Sequence, residues 1–231
     1  MKYADRHLAR ERALDSLLVI TKGAHAGLGL ICLVSGAVAL LSVKRRGRHP
    51  IAGKLFAVSL GLLFLAILPN IMAANNVFLL GLGWLAVYAA FEGWRALRRF
   101  RGRVPPEPDA IDYGLNGITV VMSVILIGFG AWVFFDRGHT LGLVCFGFGG
   151  LGALLVGAAV GRWRSPPEPR GWLAVHIGLM CGAFSAALTT VLAIQLSGHV
   201  DGYEWVLWVT PAVVMSLYGQ RELRSRGLRP R

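Results

Sequence analysis

The sequence has few charged residues for its length. Asp, Glu, Lys and Arg make up 16% of 231 residues, whereas hydrophobic residues make up 55%, and the mean hydropathy is +0.58. Soluble domains carry about 25% charged residues, spread so that one face of every helix stays in water. Here the charges are bunched between long apolar runs, which excludes an ordinary soluble fold and indicates a membrane protein.

Several catalytic and metal-binding motifs are also missing. The sequence contains no P-loop, no GxSxG nucleophile elbow and no HExxH zinc motif. Cys32, Cys145 and Cys181 lie singly in apolar segments without CxxC spacing, so no disulfide framework is expected. No lysine lies deep in an apolar segment, which argues against a retinal Schiff base.

Seven apolar segments predict membrane-spanning helices. About 18 apolar residues can cross roughly 30 Å of hydrocarbon as a helix, and none of the segments shows the alternation of barrel strands. The prediction is therefore an all-α polytopic bundle, in which the seventh span is the weakest because it is short and contains Pro211. The predicted spans are residues 24–43, 51–68, 77–94, 113–135, 141–161, 172–196 and 203–219.

Polar segments flank this predicted bundle, which occupies residues 24–219. Residues 1–23 mix acidic and basic side chains and lack a signal-peptide cleavage site. We expect them to form a short amphipathic helix on the membrane surface. Residues 220–231 are expected to form a basic cytoplasmic tail.

The positions of Lys and Arg predict the orientation. Seventeen of them fall in four segments, 44–48, 95–103, 162–170 and 220–231. The intervening loops, 69–76, 136–140 and 197–202, contain only Arg137. Basic loops stay in the cytoplasm, so the expected topology has the N-terminus outside and the C-terminus inside, in a bacterial cytoplasmic membrane. Five basic residues near the N-terminus oppose this orientation, and an inside N-terminus would require six or eight spans.

The net charge of +12 does not indicate nucleic-acid binding. The basic residues sit at the ends of apolar segments and not on one face of a folded domain. That position fits contact with anionic headgroups. The expected partners are therefore the lipid bilayer and either another membrane protein or a small ligand, with no nucleic acid.

Two further patterns concern packing. The motif Arg103-Val-Pro-Pro-Glu-Pro108 returns as Arg164-Ser-Pro-Pro-Glu-Pro169, and both copies are predicted to be stiff spacers between helices. Small residues at four-residue spacing predict helix contacts. They are Ala153, Gly157 and Gly161, then Gly23 and Gly27, then Gly178, Gly182 and Ala186.

Polar groups inside spans are costly and are candidates for function. On the cytoplasmic side the candidates are His49, Glu92, Asp112, Asn116 and His176. On the outer side they are His25, Asn70, Asn75 and Asn76. If the third, fourth and sixth spans are neighbours, we expect Glu92, Asp112, Asn116 and His176 to converge in a site for protons or a cation. Alternatively, each group binds a local arginine or a backbone carbonyl, with Glu92 paired to Arg95.

His25 and His176 are both expected to face the bundle interior. His25 shares a helical face with Gly29, Cys32, Gly36 and Ala39, and His176 shares one with Ala183, Ala187 and Thr190. Each could be a metal or haem ligand, a proton carrier or a substrate contact, or it could bind a backbone carbonyl. They lie toward opposite membrane faces and so cannot share one iron. No metal site is predicted.

The segments His25-Ala-Gly-Leu-Gly29, Gly36-Ala-Val-Ala-Leu40 and Arg48-His-Pro-Ile-Ala-Gly53 resemble an uncharacterised bacterial family of polytopic membrane proteins. Its opening helix pair carries two HxxxG motifs. Trp172-Leu-Ala-Val-His-Ile-Gly-Leu-Met180 and the stretch 205–218 are similar to its closing pair. The resemblance implies a multi-pass topology and marks His25, His49 and His176, without an activity. Pro50 departs from the arginine that commonly follows the second histidine.

Two functions remain open at this point. The first is a non-catalytic membrane protein that binds or moves a small or lipidic ligand, or docks a membrane partner. The second is a haem- or metal-dependent membrane redox protein or enzyme that uses the bundle-facing histidines. The sequence specifies no cofactor.

Overall fold

The computed structural model describes residues 2–44, 47–200 and 204–228, and this part of the chain contains helices and connections without any strand. A short 3-10 turn, Ser197–His199, follows the sixth helix. The seven α-helices are α1 (Lys2–Leu41), α2 (Arg48–Ala73), α3 (Val77–Phe100), α4 (Ala110–Phe135), α5 (Leu141–Arg164), α6 (Pro169–Leu196) and α7 (Glu204–Ser225). The predicted all-α class is confirmed.

Six helices of the described residues, α1 to α6, are long and apolar enough to cross a membrane. They carry large apolar side chains on their surfaces, such as Ile51 and Leu154, each 73% exposed. Exposed apolar surface of this extent needs lipid or protein around it. The chain is therefore a membrane protein. The seventh helix, which contains Pro211, is not among the six.

The N-terminal segment differs from its prediction in one respect. Residues 2–23 continue without a break into the first span, so α1 is a single 40-residue helix. A surface position for that segment stays a prediction. Parts of five predicted features lie outside the described residues. They are residue 1 of the N-terminal segment, 45–46 of the first basic loop, 201–202 of the last outer loop, 203 of the seventh span and 229–231 of the tail.

The helices group into two compact units, and the first is residues Met1–Asn76. It is a hairpin in which α1 packs along α2. The small-residue face of α1 makes this contact, since Cys32, Gly36 and Ala39 are buried. The predicted face of His25 is thereby confirmed. Near the free ends of the hairpin, Asn70 Nδ2 donates a hydrogen bond to Thr21 Oγ1 at 2.6 Å.

The second unit is residues Val77–Arg231, with α3 at its centre. α3 packs against α4, α5 and α6, while α4 pairs with α5 and α6 pairs with α7. Near the start of α3, an apolar cluster of Phe78, Leu82, Leu85, Leu126 and Cys145 fills the interior. Trp208 of α7 packs on Phe78, with ring centroids 5.7 Å apart.

Glycines bring α4 and α5 into backbone contact. A Cβ added at Gly142 would lie 2.5 Å from the carbonyl oxygen of Gly130, and one at Gly149 would lie 3.0 Å from that of Ser123. Only glycine permits so close an approach. The packing face of α5 therefore includes Gly142, Gly149 and Gly152, all buried.

The predicted small-residue contacts were wrong for most positions. Ala153, Gly157 and Gly161 are exposed, and a Cβ on either glycine would meet nothing within 4 Å. The same open space surrounds the predicted glycines of α1 and α6, Gly23, Gly27, Gly178 and Gly182. The physical reason is that α5 carries small residues on several faces, so spacing alone does not select the one that packs.

Candidate functional site

A network of buried charges lies at the end of the second unit where α3 and α5 finish and α4 and α6 begin, which we call the basic end. Its centre is the Asp112 carboxylate, which has no solvent exposure. Arg95 donates to Asp112 Oδ1 from Nε at 2.7 Å and to Oδ2 from Nη2 at 2.9 Å. Arg99 Nη2 adds a bond of 2.6 Å to Oδ2. The single carboxylate of Asp112 thus accepts hydrogen bonds from two arginines and offsets part of their positive charge.

Local sequence explains this geometry. Arg95 and Arg99 are four residues apart and therefore share one face of α3. Asp112 is the third residue of α4, and it forms a capping box with Asp109, whose backbone N–H donates to Asp112 Oδ2 at 2.9 Å. A carboxylate there also faces the positive end of the helix dipole. Two facing helix ends therefore supply both signs of charge.

Asp109 contributes at the edge of the network. Arg95 Nη2 lies 2.8 Å from its carboxylate, which is 47% exposed. The hydrogen bond from Arg95, together with backbone N–H groups of the capping box, lowers the pKa of Asp109 from 3.8 to about 2. The Asp109 carboxylate is therefore ionised at neutral pH. Together with Asp112, it balances the positive charge of Arg95.

Arg99 connects α3 to the first Pro-rich loop, which contains the Arg103–Pro108 motif. Its Nε donates to the Pro105 carbonyl at 3.1 Å, and its guanidinium lies 4.9 Å from the ring centre of the buried Trp172. The Arg99 Nη1 atom is buried without a partner among the described residues. This loop is consequently held by its contacts with α3, in addition to the stiffness that its prolines provide.

Glu92 does not pair with Arg95, contrary to the prediction. Arg95 instead finds Asp112 on the facing helix, which offers two carboxylate oxygens to its two donors. Glu92, which is 1% exposed, approaches Arg162 of α5 with 3.4 Å between Oε1 and Nη2. The predicted link failed because a bidentate partner across the helix boundary is stronger than a neighbour one turn away.

The contact between Glu92 and Arg162 is incomplete. At 3.4 Å it is long for a charge-assisted hydrogen bond, which usually measures about 2.7–2.9 Å. Glu92 Oε2 and Arg162 Nε are both buried and have no hydrogen-bond partner among the described residues. The carboxylate therefore retains an unused acceptor, and the guanidinium retains an unused donor, in two groups that already touch.

A row of uncharged polar groups continues the network between α3 and α4. Tyr88 donates its hydroxyl proton to Asn116 Oδ1 at 2.9 Å, and Asn116 Nδ2 donates to the Asp112 carbonyl at 2.9 Å. One turn farther, Trp84 Nε1 donates to Thr119 Oγ1, also at 2.9 Å. Farther along α4 lies the apolar cluster around Leu126, so these polar groups extend the network inward from the basic end.

The three histidines of interest all bond backbone carbonyls. His25 Nδ1 lies 3.1 Å from the Leu63 carbonyl oxygen. His49 Nδ1 lies 2.8 Å from that of Ala39, and His176 Nδ1 lies 2.9 Å from that of Gly93 on α3. Each imidazole faces a neighbouring helix, as predicted for His25 and His176. The backbone-carbonyl alternative is the one that the structure contains.

The outer candidates form the end of the hairpin. Asn70 binds Thr21, as described above. Asn75 has a positive φ of 50° in the turn after α2, a conformation that Asn tolerates better than most residues, and the Asn76 N–H donates to the Ile71 carbonyl at 3.1 Å. These contacts account for a helix end and its following turn.

The structure thus joins only part of each predicted set. It places Asp112 and Asn116 in one network and adds residues that are absent from the predicted set of site residues, namely Arg95, Arg99, Asp109, Tyr88 and Arg162. Glu92 touches Arg162, and His176 binds the residue that follows Glu92. His49 belongs to the first unit. The signal in the sequence is a pair of arginines at four-residue spacing followed by Asp109-x-x-Asp112. The prediction used Arg95 only as a partner of Glu92 and as an indicator of orientation, and Arg99 and Arg162 only as indicators of orientation.

Within the described part of the chain, no group of three His, Cys, Asp or Glu side chains is arranged to hold a metal ion. Comparison of the chain with protein-family models, with curated proteins and with solved structures finds no match.

Proposed function

We propose that the chain is a non-catalytic, multi-pass protein of the bacterial cytoplasmic membrane that binds a small polar ligand at the basic end of its second unit. It would belong to the bacterial family that its HxxxG motifs resemble. In this proposal all seven helices cross the bilayer, with the N-terminus outside and the basic end in the cytoplasm.

The path of α7 supports a seventh crossing. At one end Trp208 packs on Phe78, close to the start of α3. At the other, the position of a Cβ on Gly219 is 3.5 Å from Cys181 Sγ in the middle of α6. The helix has 22 residues, or about 33 Å. These contacts place α7 beside α6 from its outer end to its middle. In the proposal the last turns of α7 complete the crossing, and the basic residues after Gly219 reach the cytoplasm.

The observation that carries the ligand proposal is the incomplete contact between Glu92 and Arg162. A buried acceptor or donor without a partner costs about 1–3 kcal/mol. A ligand that donates a hydrogen bond to Glu92 Oε2 and accepts one from Arg162 Nε removes both costs at once. Its class is a small molecule with an anionic or other acceptor group beside a hydroxyl or ammonium group.

Access from the cytoplasm is consistent with the exposure of the surrounding residues. The Arg162 side chain is 19% exposed, whereas that of Glu92 is buried. Further arginines at this end, Arg98, Arg101, Arg103, Arg164 and Arg170, are exposed. Their field attracts anionic molecules to the entrance.

A ligand screen by protein stability tests the proposal. Ligand at 100 times its Kd raises the free energy of unfolding by about 2.7 kcal/mol. We expect a hydroxylated or zwitterionic acid, such as a hydroxy acid or an amino acid, to stabilise the purified protein more than inorganic phosphate or a simple amine does. The stabilisation should be lost in both Glu92→Gln and Arg162→Gln. Arg137→Gln, at an exposed arginine of another loop, should keep it.

Two results contradict the proposal. One is a panel of such acids in which no compound stabilises the wild-type protein. The other is a stabilising compound whose effect survives in both site variants.

A further inference from the structure

The hairpin of the first unit has an open groove between α1 and α2. The groove has a volume of about 470 Å³, which is within the usual range of ligand sites. Its walls are apolar and include Leu30, Val34 and Val38 of α1, with Ile51 and Leu55 of α2. All five of these side chains are at least 39% exposed, so something apolar must cover them.

One end of the groove is positively charged. Arg48, the first residue of α2, lines that end and is exposed. The preceding Gly47 provides no side-chain cap for α2, so the positive end of the helix dipole lies beside Arg48. The groove therefore has the two parts of a phospholipid site, an apolar channel and a cationic end.

We propose that this groove binds one acyl chain of an anionic glycerophospholipid, with the lipid phosphate at Arg48. From Val38 to Leu30 the groove follows α1 for eight residues, or about 12 Å of depth. An acyl chain that descends from a headgroup at Arg48 covers the exposed leucine, valine and isoleucine side chains along this length. The guanidinium binds phosphate through two parallel N–H donors.

The distribution of charge favours lipid over a second copy of the hairpin. Acidic residues in Met1–Asn76 occur only at positions 5, 11 and 15, in the first turns of α1. None lies at the level of the groove, so a second hairpin packed side by side would place no carboxylate opposite Arg48. An anionic phospholipid supplies both the negative charge and the apolar chain.

Headgroup selectivity tests Arg48 in the full-length protein. One basic residue near the membrane surface contributes about 1 kcal/mol toward an anionic lipid, or roughly fivefold in affinity. Native mass spectrometry of protein in equimolar phosphatidylglycerol and phosphatidylcholine should show this preference in the wild type. Arg48→Gln should reduce it roughly fivefold, Arg48→Lys should keep part of it, and Arg224→Gln, at an exposed arginine near the end of α7, should leave it unchanged.

The apolar part of the proposal has its own variant. Val34→Trp fills the groove and should remove one bound lipid of either headgroup. Leu62→Trp, at an α2 position that is 48% exposed and outside the groove, should retain it. Far-UV circular dichroism checks that both variants keep their helices.

Three outcomes overturn the proposal. They are an unchanged headgroup preference in Arg48→Gln, full lipid occupancy in Val34→Trp, and a wild-type dimer that is lost in Val34→Trp. The ligand site of the second unit is tested separately, because Glu92→Gln should leave the lipid preference intact. Failure of one proposal therefore leaves the other standing.

Discussion

Replacement of Asp112 by asparagine removes the charge at the centre of the basic-end network. The carboxylate accepts two hydrogen bonds from Arg95, one from Arg99 and one from the Asp109 backbone. The asparagine side chain would be isosteric, but it would keep one acceptor oxygen and present an amide N–H₂ to two guanidinium groups. Arg99 would lose its carboxylate, and Arg95 would retain only the half-exposed Asp109.

The structure sets the size of the effect. Asp112 and the Arg99 side chain are 0% and 1% exposed, so water cannot replace the lost carboxylate. Removal of one partner from a buried ion pair costs about 3–5 kcal/mol. The four bonds are not added separately, because they share one carboxylate. We therefore expect Asp112→Asn to lower the free energy of unfolding by about 3–5 kcal/mol.

The three buried cysteines provide the assay. A thiol-specific fluorophore reacts with them once the helices separate during titration with sodium dodecyl sulfate. Asp136→Asn is the matched control, since Asp136 pairs with Arg137 at 3.4 Å and both side chains are more than 60% exposed. It should change stability by less than about 1 kcal/mol.

A double variant isolates the uncompensated charge. Addition of Arg99→Gln to Asp112→Asn should cost less than the sum of the single changes, because it removes one of the two stranded cations. A loss below about 1 kcal/mol for Asp112→Asn, or strictly additive losses in the double variant, would refute the reasoning.

Three further predictions use the same unfolding assay. Gly142→Ala should lower stability by about 1–3 kcal/mol, because its Cβ meets the backbone of α4, while Gly157→Ala should be neutral or stabilising by up to about 1 kcal/mol. Equal effects would contradict the assignment of the packing face. The ionisation of Asp109 should stabilise the protein fully above pH 4 and lose that effect as the pH falls through about 2, since its folded pKa is lowered from 3.8 to about 2. An Asp109→Asn variant whose free energy of unfolding depends on pH in the same way as that of the wild type would argue against this assignment. His176→Phe should cost about 1 kcal/mol through the lost carbonyl bond, and no loss would show that the bond is dispensable.

The sequence predicted those features that depend on one helix at a time. The lengths of the apolar segments located the helices. Helical periodicity placed His25 on the face of α1 that packs against α2, together with Cys32 and Ala39. In both cases the information lies within one segment. Tertiary structure changes neither the length of an apolar run nor the angle between its residues.

Pairings between helices were not predictable in the same way. Arg95 lies as close in sequence to Glu92 as Asp112 lies to Asp109, and only the approach of α3 to α4 decides that Arg95 binds Asp112. Likewise, α5 has both Gly142 and Gly157 at suitable spacings, and the neighbouring helix alone determines which one packs. These choices require the relative positions of helices, which one sequence does not contain.

Accessibility of single cysteines tests the seven-span topology most directly. The three native cysteines are buried, and they can be replaced by alanine so that one new cysteine is placed at Arg103, Gly138 or Gly227. In intact cells, a membrane-impermeant thiol reagent should label the variant at position 138 only, and positions 103 and 227 should react only after permeabilisation. Labelling of position 103 in intact cells would contradict the orientation, and labelling of position 227 there would show that α7 does not cross the membrane.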